Sequence, residues 1–170
     1  KGFGAYPNGI GPRVLVLSNS GGPGVLCTDR AAVEGLDLPP LPQAMAERLR
    51  SFLPPEASVA NPLDLLADAR EDRFGDTLDA ALSLGRDAYD AILMIHVAPF
   101  MVDVDPVIAR LSAGVADSPL PILHSMMGTL PAKDRWFAAM EAAGVPMFDD
   151  VEAMAECAGL LARYGAMRRP

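Results

Sequence analysis

Apolar positions along the chain fall into two kinds of run. Residues 13–17, 91–97, 121–126 and 145–148 are short and almost continuously apolar, as in Val14-Leu15-Val16-Leu17 and Ala91-Ile92-Leu93-Met94-Ile95. Runs of this kind are strands buried on both faces of a parallel sheet. Between them, apolar residues recur every three or four positions over 25–34, 42–52, 73–84, 105–111, 133–143 and 150–164, which is helical spacing. Asp105-Pro106 supplies a capping residue and a first-turn proline, and Asp150 a second cap. Gly35 and Gly144 stand just past two helix ends. Residues 61–66, Asn61-Pro62-Leu63-Asp64-Leu65-Leu66, are punctuated by proline and read as a loop with a brief strand nearby.

Strand and helix alternate from residue 13 to about residue 165, so the chain is expected to be one α/β domain, a three-layer doubly wound parallel sheet with right-handed crossovers. The flavodoxin-like order 2-1-3-4-5 is the natural arrangement of five such strands. Residues 1–12, with four glycines and two prolines, read as a flexible lead-in or interdomain linker, and residues 166–170 as a tail.

Composition narrows the function. At 170 residues and 51% hydrophobic, the chain suits a single core, and a formal charge of -8 repels nucleic acid. Cys27 and Cys157 lack neighbours at metal-ligand or disulfide-framework spacing, which points to a reducing compartment and no metal site. No apolar run reaches the roughly 20 residues needed to cross a bilayer, and the start has no signal-peptide core. The expectation is a cytoplasmic protein without membrane or nucleic-acid partners.

In a doubly wound sheet ligands gather outside the carboxyl ends of the strands, beside the first one. The residues there are Asn19-Ser20-Gly21-Gly22-Pro23-Gly24. Glycines allow close backbone approach, and Pro23 in the first turn leaves helix amides facing outward, which together favour an anion such as phosphate. A tight turn whose glycines serve only packing has equal standing on pattern alone. No Walker lysine and no dinucleotide spacing follow, which disfavours a stand-alone nucleotide site. His96 and His124 fall near strand ends without partners at local spacing, and read as packing or hydrogen-bonding histidines.

Asn19-Ser20-Gly21-Gly22-Pro23-Gly24-Val25-Leu26 with Asp29, followed by Leu53-Pro54-Pro55-Glu56-Ala57-Ser58-Val59-Ala60-Asn61-Pro62-Leu63-Asp64, resembles the second flavodoxin-like ligase domain of ADP-forming acyl-CoA synthetases, with succinyl-CoA synthetase a more distant relative. The resemblance runs from Arg13 to about Tyr164 and takes in Gly144-Val145-Pro146. It implies a partial module of a ligase that joins acid and CoA while ATP becomes ADP and phosphate, through a phosphohistidine carried on another domain. It further implies that the helix starting here steadies that phosphohistidine, with Asn19, Ser20, Gly21, Gly22 and Gly24 as the phosphate-binding set. Asn61 and Asp64 belong to the second motif, which the family places near the same region.

The family's Ser-His-Thr-Gly type loop is missing, as are its CoA-binding and ATP-grasp segments. CoA, ATP or ADP and Mg are therefore implied for the full enzyme, none for this domain alone. The CoA-binding, phosphohistidine and ATP-grasp domains become the implied partners, a homo-oligomer stays open, and no turnover is expected from the isolated chain. The alternative is a non-catalytic regulatory domain, since similar modules occur fused to protein lysine acetyltransferases. A flavodoxin or phosphorelay receiver follows from fold class alone; Asn19 and Ser20 stand where a receiver needs acids, and the sole tryptophan, Trp136, falls within a helix.

Overall fold

The apolar runs become the strands of a five-stranded parallel sheet. The computed structural model describes residues 1–98, 101–128, 131 and 133–168. β1 (Val14–Ser18), β2 (Leu63–Asp64), β3 (Ala91–Val97), β4 (Ile122–Met127) and β5 (Met147–Phe148) lie in the order β2-β1-β3-β4-β5, every neighbouring pair parallel. β1 is buried along its whole length, as a central strand covered on both faces must be.

Among the described residues seven helices surround the sheet: α1 (Gly2–Ala5), α2 (Gly21–Val33), α3 (Gln43–Arg50), α4 (Glu71–Leu84), α5 (Val104–Val115), α6 (Lys133–Ala142) and α7 (Val151–Arg168). α2 and α7 cover one face, where Cys27, Ala31, Met154 and Ala158 pack on Val14, Val16, Leu93 and Ile95. α3, α4, α5 and α6 cover the other, packing Met45, Phe74, Leu111 and Trp136 on Leu15, Leu17, Ile92 and Ile122. Alternate residues of each strand thus enter separate cores.

Both glycines expected past helix ends do that work. Gly35 has φ +78°, and the Gly35 and Leu36 amides close α2 on the carbonyls of Ala32 and Ala31. Gly144, at φ +83°, repeats the arrangement after α6 on Glu141 and Met140. This paired closure needs a left-handed residue, which glycine supplies without steric cost.

Three boundaries differ from the sequence reading. The first twelve residues pack onto the domain instead of standing apart from it. Gly2 is buried, Ile10 is 3% exposed, and the Tyr6 hydroxyl both donates to the Ile122 carbonyl and accepts from its amide. The cap of α5 is Asp103, whose side chain accepts the Asp105 amide at 3.1 Å, so Asp105 lies inside the first turn. α7 continues through Arg168, into the segment read as a tail. No helix among the described residues is long and apolar enough to cross a membrane.

Candidate functional site

β1 stops at Ser18 because the next residues fold back on themselves. The Ser18 hydroxyl accepts the Ser20 amide at 3.0 Å and donates to the Ser20 carbonyl at 2.8 Å. Asn19, fully buried, reaches across to β3, where its amide group donates to the Val97 carbonyl and its oxygen accepts the Val97 amide, both at 2.8 Å. The turn is thereby fixed to two strands before the helix begins.

α2 then starts at Gly21, four residues earlier than its apolar spacing suggests. The first four N–H groups of a helix have no partner within it, and a capping side chain usually takes one. Here the capping residue Ser20 makes no side-chain cap bond. Pro23 has no N–H to offer. The Gly24 amide turns inward to the Ser20 carbonyl at 3.2 Å. What remains is a pair: the amides of Gly21 and Gly22, both residues exposed, with no hydrogen-bond partner among the described residues. A side chain at Gly22 would meet nothing within 4 Å, whereas one at Gly21 would come 3.1 Å from Asp64 Oδ2.

The second sequence motif meets the first here. β2 pairs with the end of β1, placing Leu63 beside Leu17 and Asp64 beside Ser18. Asp64 Oδ1 accepts the Leu66 amide at 3.0 Å and steadies that residue at φ 69°. Its other oxygen is left next to Gly21. Asn61 has a different task. Its oxygen accepts the Val16 amide at 3.0 Å, and its NH2 donates to the carbonyls of Val14 and Pro39 at 2.9 and 3.0 Å. With those groups engaged, Asn61 extends the edge of β1 before β2 begins to pair.

Of the seven residues expected to bind, Gly21, Gly22 and Asp64 therefore present open groups at one place. Asn19, Ser20, Gly24 and Asn61 frame them, and in this structure three of these have the groups in question engaged within the chain. Ser20 and Gly24 have their amides bonded, and the Asn19 side chain is committed to Val97. Sequence reasoning did not foresee that Val25 and Leu26, 53% and 51% exposed, rim this helix start. The signal was available, because residues 25–27 are apolar on more than one side of a helix whose buried face needs only Gly24, Cys27 and Ala31.

The platform is open, whereas a cleft of about 240 Å3 lined by Tyr6, Leu120, Ile122 and Val145 lies at the opposite, amino-terminal edge of the sheet. His96 and His124 lie below the platform in the α4–α6 core, fully buried, and neither ring has a hydrogen-bond partner among the described residues. Burial pushes His96 down to about 3 and His124 well below the ordinary imidazole range. Both rings pack against Trp136, His96 tilted at 4.3 Å and His124 edge-on at 5.8 Å.

Known proteins resemble this chain in sequence and in fold. Residues 14–121 match the family model of the Ligase-CoA domain. The chain is 42% identical over 96 residues to the ADP-forming acetate–CoA ligase II subunit alpha of Pyrococcus furiosus, a stretch covering 56% of this chain and 21% of that protein. It is 40% identical over 65 residues to the ADP-forming acetate–CoA ligase I of Archaeoglobus fulgidus, covering 38% and 10%. Among solved structures, PH0766 from Pyrococcus horikoshii OT3 superposes with a TM-score of 0.86 at 28% identity, over 95% of this chain and 38% of that one. The dinucleotide forming acetyl-coenzyme A synthetase 1 of Ca. Korarchaeum cryptofilum gives 0.80 at 25% identity, over 92% and 34%. This chain thus spans a minor part of the length of each relative, and it belongs to the Ligase-CoA domain family of ADP-forming acyl-CoA synthetases.

Proposed function

We propose that the start of α2 receives the phosphoryl group of a phosphohistidine carried by another domain of an ADP-forming acyl-CoA synthetase. The observation that carries this reading is the pair of exposed amides of Gly21 and Gly22, without a partner among the described residues, at the positive end of a 13-residue helix. Amides so placed take oxyanions with little reorganisation. Asp64 Oδ2, beside Gly21, adds a negative charge that a free anion would not welcome. A phosphorylated imidazole suits both groups, since its phosphoryl oxygens can accept from the amides while its other ring nitrogen, once protonated, can donate to the carboxylate. Val25 and Leu26 give the incoming domain an apolar rim to cover.

On this reading the chain forms and breaks no bond by itself. It holds one charge state of a group that travels between distant sites, while CoA, ATP or ADP and Mg2+ are handled by the CoA-binding and ATP-grasp domains of the same enzyme. The relatives' ligase names favour this over a regulatory module fused to an acetyltransferase. The test is the amount and lifetime of phosphoenzyme in the intact enzyme with Gly22→Ala and Gly22→Asp. A drop confined to Gly22→Asp supports the reading, and equal phosphoenzyme in both variants overturns it.

A further inference from the structure

His96 and His124 take no part in the platform, yet they are the least satisfied polar groups in the core. All four of their ring nitrogens are buried and without a partner among the described residues. Buried polar atoms are paired in the great majority of proteins, so two adjacent orphaned rings call for an explanation.

Register supplies one. β3 and β4 pair with His96 opposite Met126 and Met94 opposite His124. Strand alternation puts all four side chains on one face. Met94 and Met126 join Trp136 in the core on that face, and the Trp136 ring lies 4.3 Å from the His96 ring and 5.8 Å from the His124 ring. The four residues occupy the corners of a rectangle about 4.8 Å by about 6.7 Å, with imidazoles on one diagonal and thioethers on the other. Its centre is displaced sideways by about 4 Å from each Cα, within reach of an imidazole nitrogen or a thioether sulfur.

We infer that this rectangle is a binding site for one soft monovalent cation, a cuprous ion, held by one nitrogen each of His96 and His124 and by the sulfurs of Met94 and Met126, beneath the indole of Trp136. Thioethers carry no charge and a neutral imidazole offers one lone-pair nitrogen, so the four donors add no charge of their own. No third His, Cys, Asp or Glu joins the two histidines among the described residues. A divalent ion would find no compensating charge here, and the cost of burying an ion rises steeply with its charge. Thioethers and imidazoles together select Cu(I) among biological metals. The indole face adds attraction for a desolvated cation.

Silver(I), which is redox-inert and equally soft, is the probe, added to the 170-residue chain with Cys27→Ala and Cys157→Ala so that neither thiol can take the ion. Trp136 is the only tryptophan, so its emission reports the site directly. One equivalent of Ag(I) is expected to quench that emission and to shift the ring resonances of both histidines. Met94→Leu and Met126→Leu nearly conserve volume. Each is expected to leave the silver-free melting temperature within a few degrees and to weaken binding at least tenfold. The inference is overturned if no Ag(I) binds at micromolar concentration, or if bound Ag(I) leaves Trp136 and both imidazoles unmoved. Equal affinity in the two methionine variants also overturns it, as does Zn(II) binding as tight as that of Ag(I).

Discussion

Replacing Gly22 with Asp separates the stability of the helix from the task proposed for it. Gly22 sits in the first turn of α2, is exposed, and has nothing within 4 Å of an added Cβ, so the backbone and its packing accept the change. For the helix alone the new carboxylate is favourable, by about 0.3–1 kcal/mol, because it faces the positive end of the dipole. For a phosphoryl group resting on the Gly21 and Gly22 amides the sign reverses. At a separation of about 5 Å, two unit charges repel by about 0.8 kcal/mol in a water-like medium and about 3 kcal/mol at an effective dielectric of 20. The platform is open until a partner domain covers it, so a middle value of about 1.5–2 kcal/mol is expected, or a loss of about tenfold to thirtyfold. The assay is acid-labile phosphoenzyme and acyl-CoA formation in the intact enzyme, compared with Gly22→Ala. High salt should restore part of the loss, since exposed charges are screened within about 3 Å at 1 M. Melting temperature at or above that of the parent, with phosphoenzyme and rate within twofold of Gly22→Ala, would refute the proposed role of the amides.

Three further outcomes concern the frame. Asn61→Ala removes three hydrogen bonds to backbone groups of Val14, Val16 and Pro39, and should cost about 2–4 kcal/mol in urea unfolding; a loss below 0.5 kcal/mol, taken as about the noise of such a measurement, would contradict the edge-extending role. Gly165→Ala brings a Cβ to 2.5 Å from the Ile10 carbonyl oxygen, so residues 1–12 should exchange their amide protons faster, and unchanged exchange would show that this packing is not tight. Acid should weaken the fold through His96. Its folded value is about 3 against about 6.5 unfolded, so the unfolded chain binds the extra proton below pH 6.5 and stability falls with pH at about 1.4 kcal/mol per unit down to about 3. His124 acts in the same direction, and a denaturation midpoint flat between pH 7 and 5 would rule this out.

The layers of the fold were legible because the strand signal is redundant. Val14–Leu17 and Ala91–Val97 are apolar on both faces, and only a covered parallel sheet uses such runs. The order β2-β1-β3-β4-β5 matches the flavodoxin-like arrangement expected of five such strands, but alternation and handedness do not by themselves select it over other doubly wound orders. The site was legible only in outline. Three glycines in four residues lower helix propensity, which hides a helix beginning at Gly21. The first turn tolerates them because its amides have no helical partner to lose, and because Pro23 already has a helical φ. Nor does sequence separate Asn61 from Asp64. They are three residues apart, yet one side chain is spent on strand backbone and the other keeps an oxygen beside Gly21. Partners 45 and 47 positions away made that division, and no local pattern encodes them.

On the proposed reading, Asp64 decides what kind of anion this surface accepts. Two unpaired amides alone would draw any phosphate, yet a carboxylate oxygen beside Gly21 opposes a simple anion there. The groups are reconciled by a ligand that is negative on one side and carries an N–H on the other. Asp64→Asn keeps an oxygen able to accept the Leu66 amide and so should preserve the turn. It removes the repulsion felt by free phosphate, and it replaces a charge-assisted acceptor for an imidazole N–H with a neutral one of about half the strength. Inorganic phosphate should therefore bind the variant chain more tightly than the parent, by about threefold to tenfold for about 0.7–1.4 kcal/mol of relieved repulsion. The amount of phosphoenzyme held by the intact enzyme should fall over the same substitution. Opposite signs in the two measurements are the signature of a two-sided site; a change of the same sign in both would mean that Asp64 acts only as a local charge.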